Sequence, residues 1–320
     1  MLTRLRRFIS TSSREVGIRE LLTRPGILRV MEAHSGLSAL IADRTRVRLP
    51  CGEERGFDAL WSSSLTASTL KGKPDIELVS VYERLSIVRD MLESSSLPII
   101  YDGDTGGSAE VFHFTVKSLE RAGVCAVVIE DKRGLKQNSL FGTERKQLIE
   151  DADVFCEKLI RGKRAQEGEN FMIFARVEAL IAGMGVTEAL SRARLYVDFG
   201  QADGIMIHSK QRDAREIFQF MESFNASHPF VPVIAVPSTY PSVTEKSLAQ
   251  SGIDIVIYAN HQLRAAYPAM LSVCENILKN GRAEECEPDL MSIRDILEII
   301  PDGQPIQQST HSPDLKTMIA

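Results

Sequence analysis

The sequence lacks the features that mark nucleic-acid-binding, membrane-spanning and disulfide-stabilised proteins. Its net charge is −5 over 320 residues, so it has no positive excess for nucleic acid or an anionic membrane surface. It contains no run of eighteen apolar residues, so no membrane span is predicted. Its five cysteines, Cys51, Cys125, Cys156, Cys274 and Cys286, include no CxxC pair, which favours reduced thiols inside a cell over disulfides or a zinc site. We therefore expect a cytoplasmic protein without nucleic-acid or membrane partners.

The two ends of the chain differ in composition from the middle. Residues 1–14 carry four arginines, three serines and no acid, as a mitochondrial presequence would, although a short basic arm has the same composition. Residues 301–320 are polar and contain proline, which is typical of a loose tail. The sequence predicts an N-terminal extension over 1–19, a single domain over 20–300 and a tail over 301–320.

Eight short apolar or β-branched runs alternate with amphipathic segments. The runs lack polar alternation, which is typical of buried parallel strands joined by helices. Eight such units predict a closed (β/α)₈ barrel; an open doubly wound sheet is the alternative, but no GxGxxG follows the first run. The predicted strands are 27–33, 57–63, 97–103, 125–131, 171–178, 204–209, 232–238 and 253–260. The predicted helices include 80–94, 109–123, 144–162, 261–281 and 292–301, and a polar insertion covers 44–55.

Acidic residues follow two neighbouring predicted strands. Asp102 and Asp104 end the third strand and Glu130 ends the fourth. In a barrel these ends meet at one rim, where catalytic groups are found. Carboxylates this close repel one another unless a cation neutralises them, and an all-oxygen set suits Mg²⁺. The alternative is that each acid caps the helix that follows it.

Other polar residues are predicted at the same rim. Arg176 interrupts an apolar strand, so it either pairs with a neighbour such as Glu178 or binds an anion. His208 ends the sixth strand and either donates to the same anion or bonds within the rim. The WSSSL turn at 61–65 either presents backbone N–H groups to a carboxylate or phosphate or is an ordinary loop.

Taken together, these motifs resemble the phosphoenolpyruvate mutase family of the isocitrate lyase/phosphoenolpyruvate mutase superfamily. The resemblance runs in order from about residue 20 to 300. It is carried by EAHSGLSA, WSSSL, YDGDTGG, EDKRGLKQNS, ARVEALIAGMG, MIHSK and YANHQLRA.

The resemblance implies a (β/α)₈ barrel whose C-terminal helix is swapped between subunits of a homodimer or homotetramer. It also implies an isomerase that interconverts phosphoenolpyruvate and phosphonopyruvate, the C–P bond-forming reaction of phosphonate biosynthesis. The phosphoryl group would move through a loose, metaphosphate-like state while the pyruvate enolate stays at a Mg²⁺ ion.

The resemblance assigns roles residue by residue. Asp102 would bind Mg²⁺ directly, and Asp75, Asp104 and Glu130 mainly through water, with Asp75 also counted as catalytic. The substrate-binding residues would be Trp61, Ser63, Ser64, Leu65, Arg176 and Asn138. The remaining catalytic residues would be His208, which contacts the substrate's anionic groups, and Lys136, which lies with Asn138 on a loop that closes over the site.

The loop at 136–139 discriminates among relatives. Carbon–carbon lyases of the superfamily carry a KKCGH-like loop, whereas this chain has no cysteine between 126 and 155. Phosphonopyruvate hydrolases lack the Asn of K-x-N-S, so KQNS favours the mutase. Ser64 stands where mutases have Gly, and Leu135 where they have Pro. Ser64 and Leu135 keep a hydrolase or a lyase of another 2-oxo acid as alternatives. Ser64 and the insertion at 44–55 keep a non-catalytic binding barrel as a further alternative.

Overall fold

Eight parallel strands form a closed barrel in the computed structural model, which describes residues 16–134, 136 and 147–300. Each barrel strand pairs with the next barrel strand along the chain, and the first strand closes the ring by pairing with the last. The predicted (β/α)₈ barrel and all eight of its strands are confirmed. The barrel strands are β1 (Leu28–Ala33), β4 (Ala59–Ser62), β5 (Ile99–Asp102), β6 (Ala126–Glu130), β7 (Met172–Val177), β8 (Gly204–Ile207), β9 (Val233–Ala235) and β10 (Ile255–Tyr258).

Helices separate the strands, and most begin at a side-chain cap. Ser80 accepts from the backbone of Glu83 and Ser108 from that of Val111, satisfying N–H groups that lack partners in a first turn. The helices are α1 (Ile18–Leu21), α2 (Gly36–Arg44), α3 (Ser64–Leu70), α4 (Val81–Ser94), α5 (Ala109–Arg121), α6 (Ala152–Ala165), α7 (Gly185–Asp198), α8 (Arg215–Ser227), α9 (Glu245–Gln250), α10 (His261–Asn280) and α11 (Ile293–Ile299). None of these described helices is long and apolar enough to cross a membrane.

The alternation of side chains along each strand decides which residues face the barrel interior. In β6, Ala126 and Val128 pack in the inner core, whereas Val127 and Ile129 pack in the core between barrel and helices. Glu130 follows Val128 by two residues and therefore also faces inward, at the carboxyl end of the strand. The same period brings Asp102, Arg176 and His208 to this end of the barrel.

Two segments differ from their predicted structure. The polar insertion at 44–55 contains an antiparallel pair, β2 (Val47–Arg48) and β3 (Glu54–Arg55), whose turn includes Gly52 at a φ of 88°. The helix predicted over 144–162 begins only at Ala152, because Ile149 forms an antiparallel bridge with Lys132. That bridge takes up backbone groups that an earlier helix start would need.

The chain divides into two compact units, one ending at Arg264 and one beginning at Ala265. At the N-terminal side Ile18 is fully buried in the inner core, so the described barrel unit includes the last residues of the predicted extension. Residues 1–15 and 301–320 lie outside the described residues, and the basic arm and polar tail stay predictions.

Candidate active site

A cavity opens at the carboxyl ends of the barrel strands, where the sequence predicts the site. Its lining combines carboxylates, cations and apolar side chains, namely Trp61, Ser63, Leu65, Asp75, Asp102, Lys136, Arg176, Met206, His208, Val236, Ser238, Ala259 and Asn260. Ser64, Asp104 and Glu130 do not line it. Each of the three is buried and contacts a residue that does.

Three carboxylates converge on the ammonium of Lys136. Its Nζ lies 2.5 Å from Asp104 Oδ1, 3.2 Å from Asp75 Oδ1 and 3.8 Å from Asp102 Oδ2. Burial alone would lower the pKa of Lys136, but the charges of Asp102, Asp104 and Asp75 outweigh it and raise that pKa above its usual range. The ammonium of Lys136 therefore neutralises all three acids. Asp102 ends the strand β5, and Asp104 lies in the loop that follows it.

Asp102 is held by the first residue of α3. The backbone N–H and the hydroxyl of Ser64 donate to Asp102 Oδ2 at 3.1 and 2.8 Å. Burial opposes ionisation of Asp102, yet the charges of Lys136, Arg84 and Arg176 lower its pKa well below the usual range. Asp102 is therefore an ionised carboxylate with a fixed orientation.

Asp104 also forms a buried ion pair with Arg84, which lies on helix α4. The guanidinium of Arg84 donates to Asp104 Oδ2 at 3.0 Å and to the carbonyl of Ser62 at 3.1 Å. It lies over the ring of Tyr101, 4.1 Å from the centroid. Asp104 does not cap α5, whose cap is Ser108, so the capping alternative is wrong for this residue.

Glu130 ends the neighbouring strand β6 and belongs to a second cluster of charges, with its backbone N–H donating to the carbonyl of Asp104 at 2.8 Å. Its Oε2 is 3.3 Å from Arg176 and its Oε1 is 3.5 Å from Lys132, and neither oxygen has a hydrogen-bond partner among the described residues. Burial raises the pKa of Glu130 to about 7 against the charges of Arg176 and Lys132. Glu178 accepts from Arg176 Nε at 2.5 Å and lies 3.0 Å from Lys132. Arg176 thus pairs with Glu178, which was one of the two alternatives predicted from the sequence. It also lines the cavity.

His208 and Asn260 bring neutral polar groups to the lining. Burial, and then the charge of Arg176, lowers the pKa of His208 to about 4, so its imidazole is neutral near pH 7. His208 Nδ1 and Asn260 Oδ1 are both buried and lack hydrogen-bond partners in the part of the chain that is described. Unpartnered buried polar atoms in a cavity wall are suited to binding a polar ligand.

The donor set fits a hard divalent cation. The oxygens of Asp75, Asp102 and Asp104 converge within 4 Å of one point, and the buried oxygens of Glu130 accept no hydrogen bond from any residue that the structure describes. Oxygen ligands without sulfur or imidazole are those Mg²⁺ prefers. As these side chains stand, with Lys136 between them, no group of three acids, histidines or cysteines among the described residues is close enough to hold an ion.

The structure brings together the site residues that the sequence predicted, apart from Asn138, which lies outside the described residues. The catalytic and binding roles of all of them remain predictions. Arg84, Lys132 and Asn260 were missed. Arg84 could have been found, because it shares a helix face with Val88 and Met91, where an arginine must have a buried partner.

Comparison with known proteins places this geometry in a family. The phosphoenolpyruvate phosphomutase family model matches residues 18–278. Phosphonopyruvate hydrolase of Variovorax sp. (strain Pal2) is 36% identical over 275 residues, 85% of this chain and 90% of that protein. The crystal structure of phosphoenolpyruvate phosphomutase from Streptomyces platensis subsp. rosaceus superposes with a TM-score of 0.81 at 35% identity, covering 88% of this chain and 93% of that one. A phosphonopyruvate hydrolase in complex with oxalate and Mg²⁺ has a TM-score of 0.75 at 34% identity, covering 85% and 89%.

Proposed function

The chain belongs to the phosphoenolpyruvate mutase family, within the isocitrate lyase/phosphoenolpyruvate mutase superfamily, and we propose that it is a Mg²⁺-dependent isomerase that interconverts phosphoenolpyruvate and phosphonopyruvate. The observation that carries the proposal is the convergence of Asp75, Asp102 and Asp104 beside a cavity that Arg176 and His208 also line. The reaction would form a carbon–phosphorus bond, as phosphonate biosynthesis requires. The relatives with this fold and comparable identity include a mutase and a hydrolase, both enzymes.

Mg²⁺ would be held by Asp102, with Asp75, Asp104 and Glu130 acting through water. When bound, it would supply positive charge to the oxygens of the substrate. The presence of Mg²⁺ in a solved phosphonopyruvate hydrolase supports the choice of metal. The backbone N–H of Ser64 holds Asp102 in a fixed orientation, so this ligand does not have to be ordered when the ion arrives.

Arg176 and His208 would hold the transferring phosphoryl group. The guanidinium of Arg176 forms ion pairs with Glu130 and Glu178. Glu178 follows β7, the strand of Arg176, and Glu130 ends the neighbouring strand β6. Its fixed charge suits a phosphoryl oxygen, and the neutral imidazole of His208 lines the same cavity without adding charge. Trp61, Ser63 and Leu65 would confine the pyruvate part, so the enolate carbon stays within reach of the phosphorus atom.

The loop that contains KQNS would keep water from the phosphoryl group. A metaphosphate-like group in contact with water gives phosphate and pyruvate, so a mutase must exclude solvent until the carbon captures it. Asn138 would provide an amide over the substrate. The Asn of K-x-N-S is the sequence feature that favours a mutase over a hydrolase in this chain.

A phosphonopyruvate hydrolase is the second candidate. It is favoured by the 36% identity to the Variovorax enzyme and by the replacement of the mutase Gly by Ser64. Both reactions need the same metal and the same contacts with the phosphoryl group, so only the fate of that group separates them.

The exchange Asn138→Ala tests the proposal. We expect a mutase rate lowered by about 100-fold or more, since a group that positions a reacting centre contributes on this order. Formation of phosphoenolpyruvate from phosphonopyruvate can be followed by the absorbance of the enol phosphate. Gln137→Ala, in the neighbouring position of the same motif, is the matched control and should stay within a few-fold of the wild type. Full activity in Asn138→Ala would contradict the assigned role of the loop.

A further inference from the structure

Lys136 lies where the carboxylates of the proposed metal site converge. Its ammonium is within 4 Å of one oxygen each from Asp75, Asp102 and Asp104. The side chain is buried, with 5% exposure. A buried ammonium with three acids around it neutralises the charge that a divalent cation would otherwise neutralise.

Ser64 connects the ammonium to the carboxylate expected to bind the metal directly. Its hydroxyl donates to Asp102 Oδ2 at 2.8 Å and accepts a hydrogen bond from Lys136 Nζ. The Ser64 amide donates to the same oxygen at 3.1 Å. One oxygen of Asp102 is therefore engaged by the backbone and side chain of Ser64 and lies 3.8 Å from the ammonium.

Two cations cannot occupy this place together. Mg²⁺ binds carboxylate oxygens at about 2.0–2.1 Å in octahedral geometry and keeps several waters, which need room that the ammonium takes. An ammonium and a divalent ion within a few ångströms also repel strongly where burial excludes water. Occupation by one therefore requires the other to leave.

We propose that Lys136 is a resident counter-ion of the metal site, steadied by the hydroxyl of Ser64, and that Mg²⁺ enters by displacing its ammonium. The inference rests on the proposed function, because it uses the same carboxylates as the metal shell. Displacement frees a positive charge at the wall of the cavity, which Lys136 lines, and makes it available to an anionic substrate. Ser64, which stands where mutases have Gly, then acts as a positioning residue that weakens Mg²⁺ binding.

The test measures Mg²⁺ binding by isothermal titration calorimetry on full-length protein stripped of divalent cations. Lys136→Met should bind Mg²⁺ about tenfold more tightly or better, within the range of ordinary coupling between ligands. Lys136→Arg keeps the charge and should stay near the wild type. Ser64→Ala should bind more tightly by a smaller factor, and this gain should vanish when Lys136→Met is also present, because the hydroxyl acts through the ammonium.

Lys158→Met is the matched control, since Lys158 is also buried but donates to the carbonyl of Thr105 at 2.7 Å. Its Mg²⁺ affinity should stay near that of the wild type. Because Lys136→Met leaves buried acids without their ammonium, a second measurement uses the wild type alone. Amine labelling followed by mass spectrometry should show Lys136 becoming more reactive when Mg²⁺ is added, while Lys158 in the same sample does not change.

The outcomes separate this inference from the function on which it rests. Equal Mg²⁺ affinity in Lys136→Met and wild type, with unchanged labelling of Lys136, would overturn the displacement while leaving the metal site in place. Absence of Mg²⁺ binding by the wild type and every variant would overturn both. Tighter binding in Lys136→Arg as well would contradict the role of the positive charge.

Discussion

Arg84 lies in the helix layer, where it neutralises Asp104 and does not line the cavity. Its replacement should therefore lower the stability of the folded protein. Arg84→Met removes the hydrogen bonds to Asp104 Oδ2 and to the Ser62 carbonyl and leaves Asp104 with fewer partners. Breaking a buried ion pair from one side costs about 3–5 kcal/mol. We expect a loss of this order in the free energy of unfolding, measured by urea denaturation. Arg89→Met, exposed on the same helix, should change it by less than about 0.5 kcal/mol; an equal effect of both would contradict the account.

His208 should give the protein a specific pH dependence. Its pKa falls from 6.5 to about 4 on folding, so the unfolded chain takes up a proton before the folded protein does as pH falls. The stability linked to neutral His208 is complete above about pH 6.5 and is lost as the pH falls through about 4, by up to about 3 kcal/mol. The unfolding free energy of the wild type, minus that of His208→Gln, should therefore decrease as the pH falls from 7 to 4.

Other titrating groups are common to both proteins and cancel in that difference. His113→Gln, at a partly exposed histidine of α5, is the variant with which the effect of His208→Gln is compared. If His208→Gln loses stability with pH just as the wild type does, the neutral buried state of His208 is wrong.

At the residue scale, the sequence predicted the acids of the site better than their partners. Asp102 and Glu130 are the last residues of β5 and β6, and the alternation of inner and outer side chains along a strand fixes where they point. Arg84 and Asn260 depend on how α4 and the end of β10 pack, which a local pattern does not encode. Lys136 was assigned to the loop, but its place among three carboxylates follows from tertiary structure alone.

At the scale of elements, the packing of α5 against α6 depends on Gly162. A Cβ at this position would lie 2.2 Å from Cε1 and 2.8 Å from Cδ1 of Phe112, which is fully buried and cannot yield. Gly162→Ala gains helix propensity of about 1 kcal/mol but overpacks the core, at a cost of about 1–3 kcal/mol or more. We expect a net loss of stability, seen as a lower melting temperature.

Gly17→Ala is the control for this exchange, because a Cβ there meets nothing within 4 Å and the backbone is extended. It should leave the melting temperature unchanged or raise it slightly. A rise in Gly162→Ala would mean that the two helices are not packed as closely as described.

The existence of the elements was more predictable than their limits. Continuous apolar runs identify the eight strands, because both faces of a barrel strand are buried. The start of α6 was predicted eight residues too early, since acidic and apolar residues near 149 fit a helical period while Ile149 in fact bridges to Lys132. The hairpin in 44–55 has exposed strands of two residues each, too short for a period to appear.

At the scale of the whole molecule, the family resemblance implies a homodimer or homotetramer. Helices α10 and α11 have no buried residues in the described chain and expose large apolar side chains, among them Tyr267, Leu278, Ile293 and Leu297. Apolar surface of this kind favours association. We expect sedimentation velocity to give at least a dimer, and Leu278→Glu with Leu297→Glu to shift it toward monomer.

Phe230→Glu is the control for association, because Phe230 is 96% exposed but lies in the loop before β9. It should leave the oligomer unchanged. A monomeric wild type at micromolar concentration would contradict the expected assembly and leave the exposed helices without an explanation.

The central claim is that this site moves a phosphoryl group between oxygen and carbon while excluding water. The most direct measurement is a ³¹P NMR time course of the purified protein with phosphonopyruvate and Mg²⁺. The account predicts that the phosphonopyruvate resonance is replaced by that of phosphoenolpyruvate, and that removing Mg²⁺ stops the change. Inorganic phosphate as the sole new resonance, or an unchanged spectrum, would contradict it.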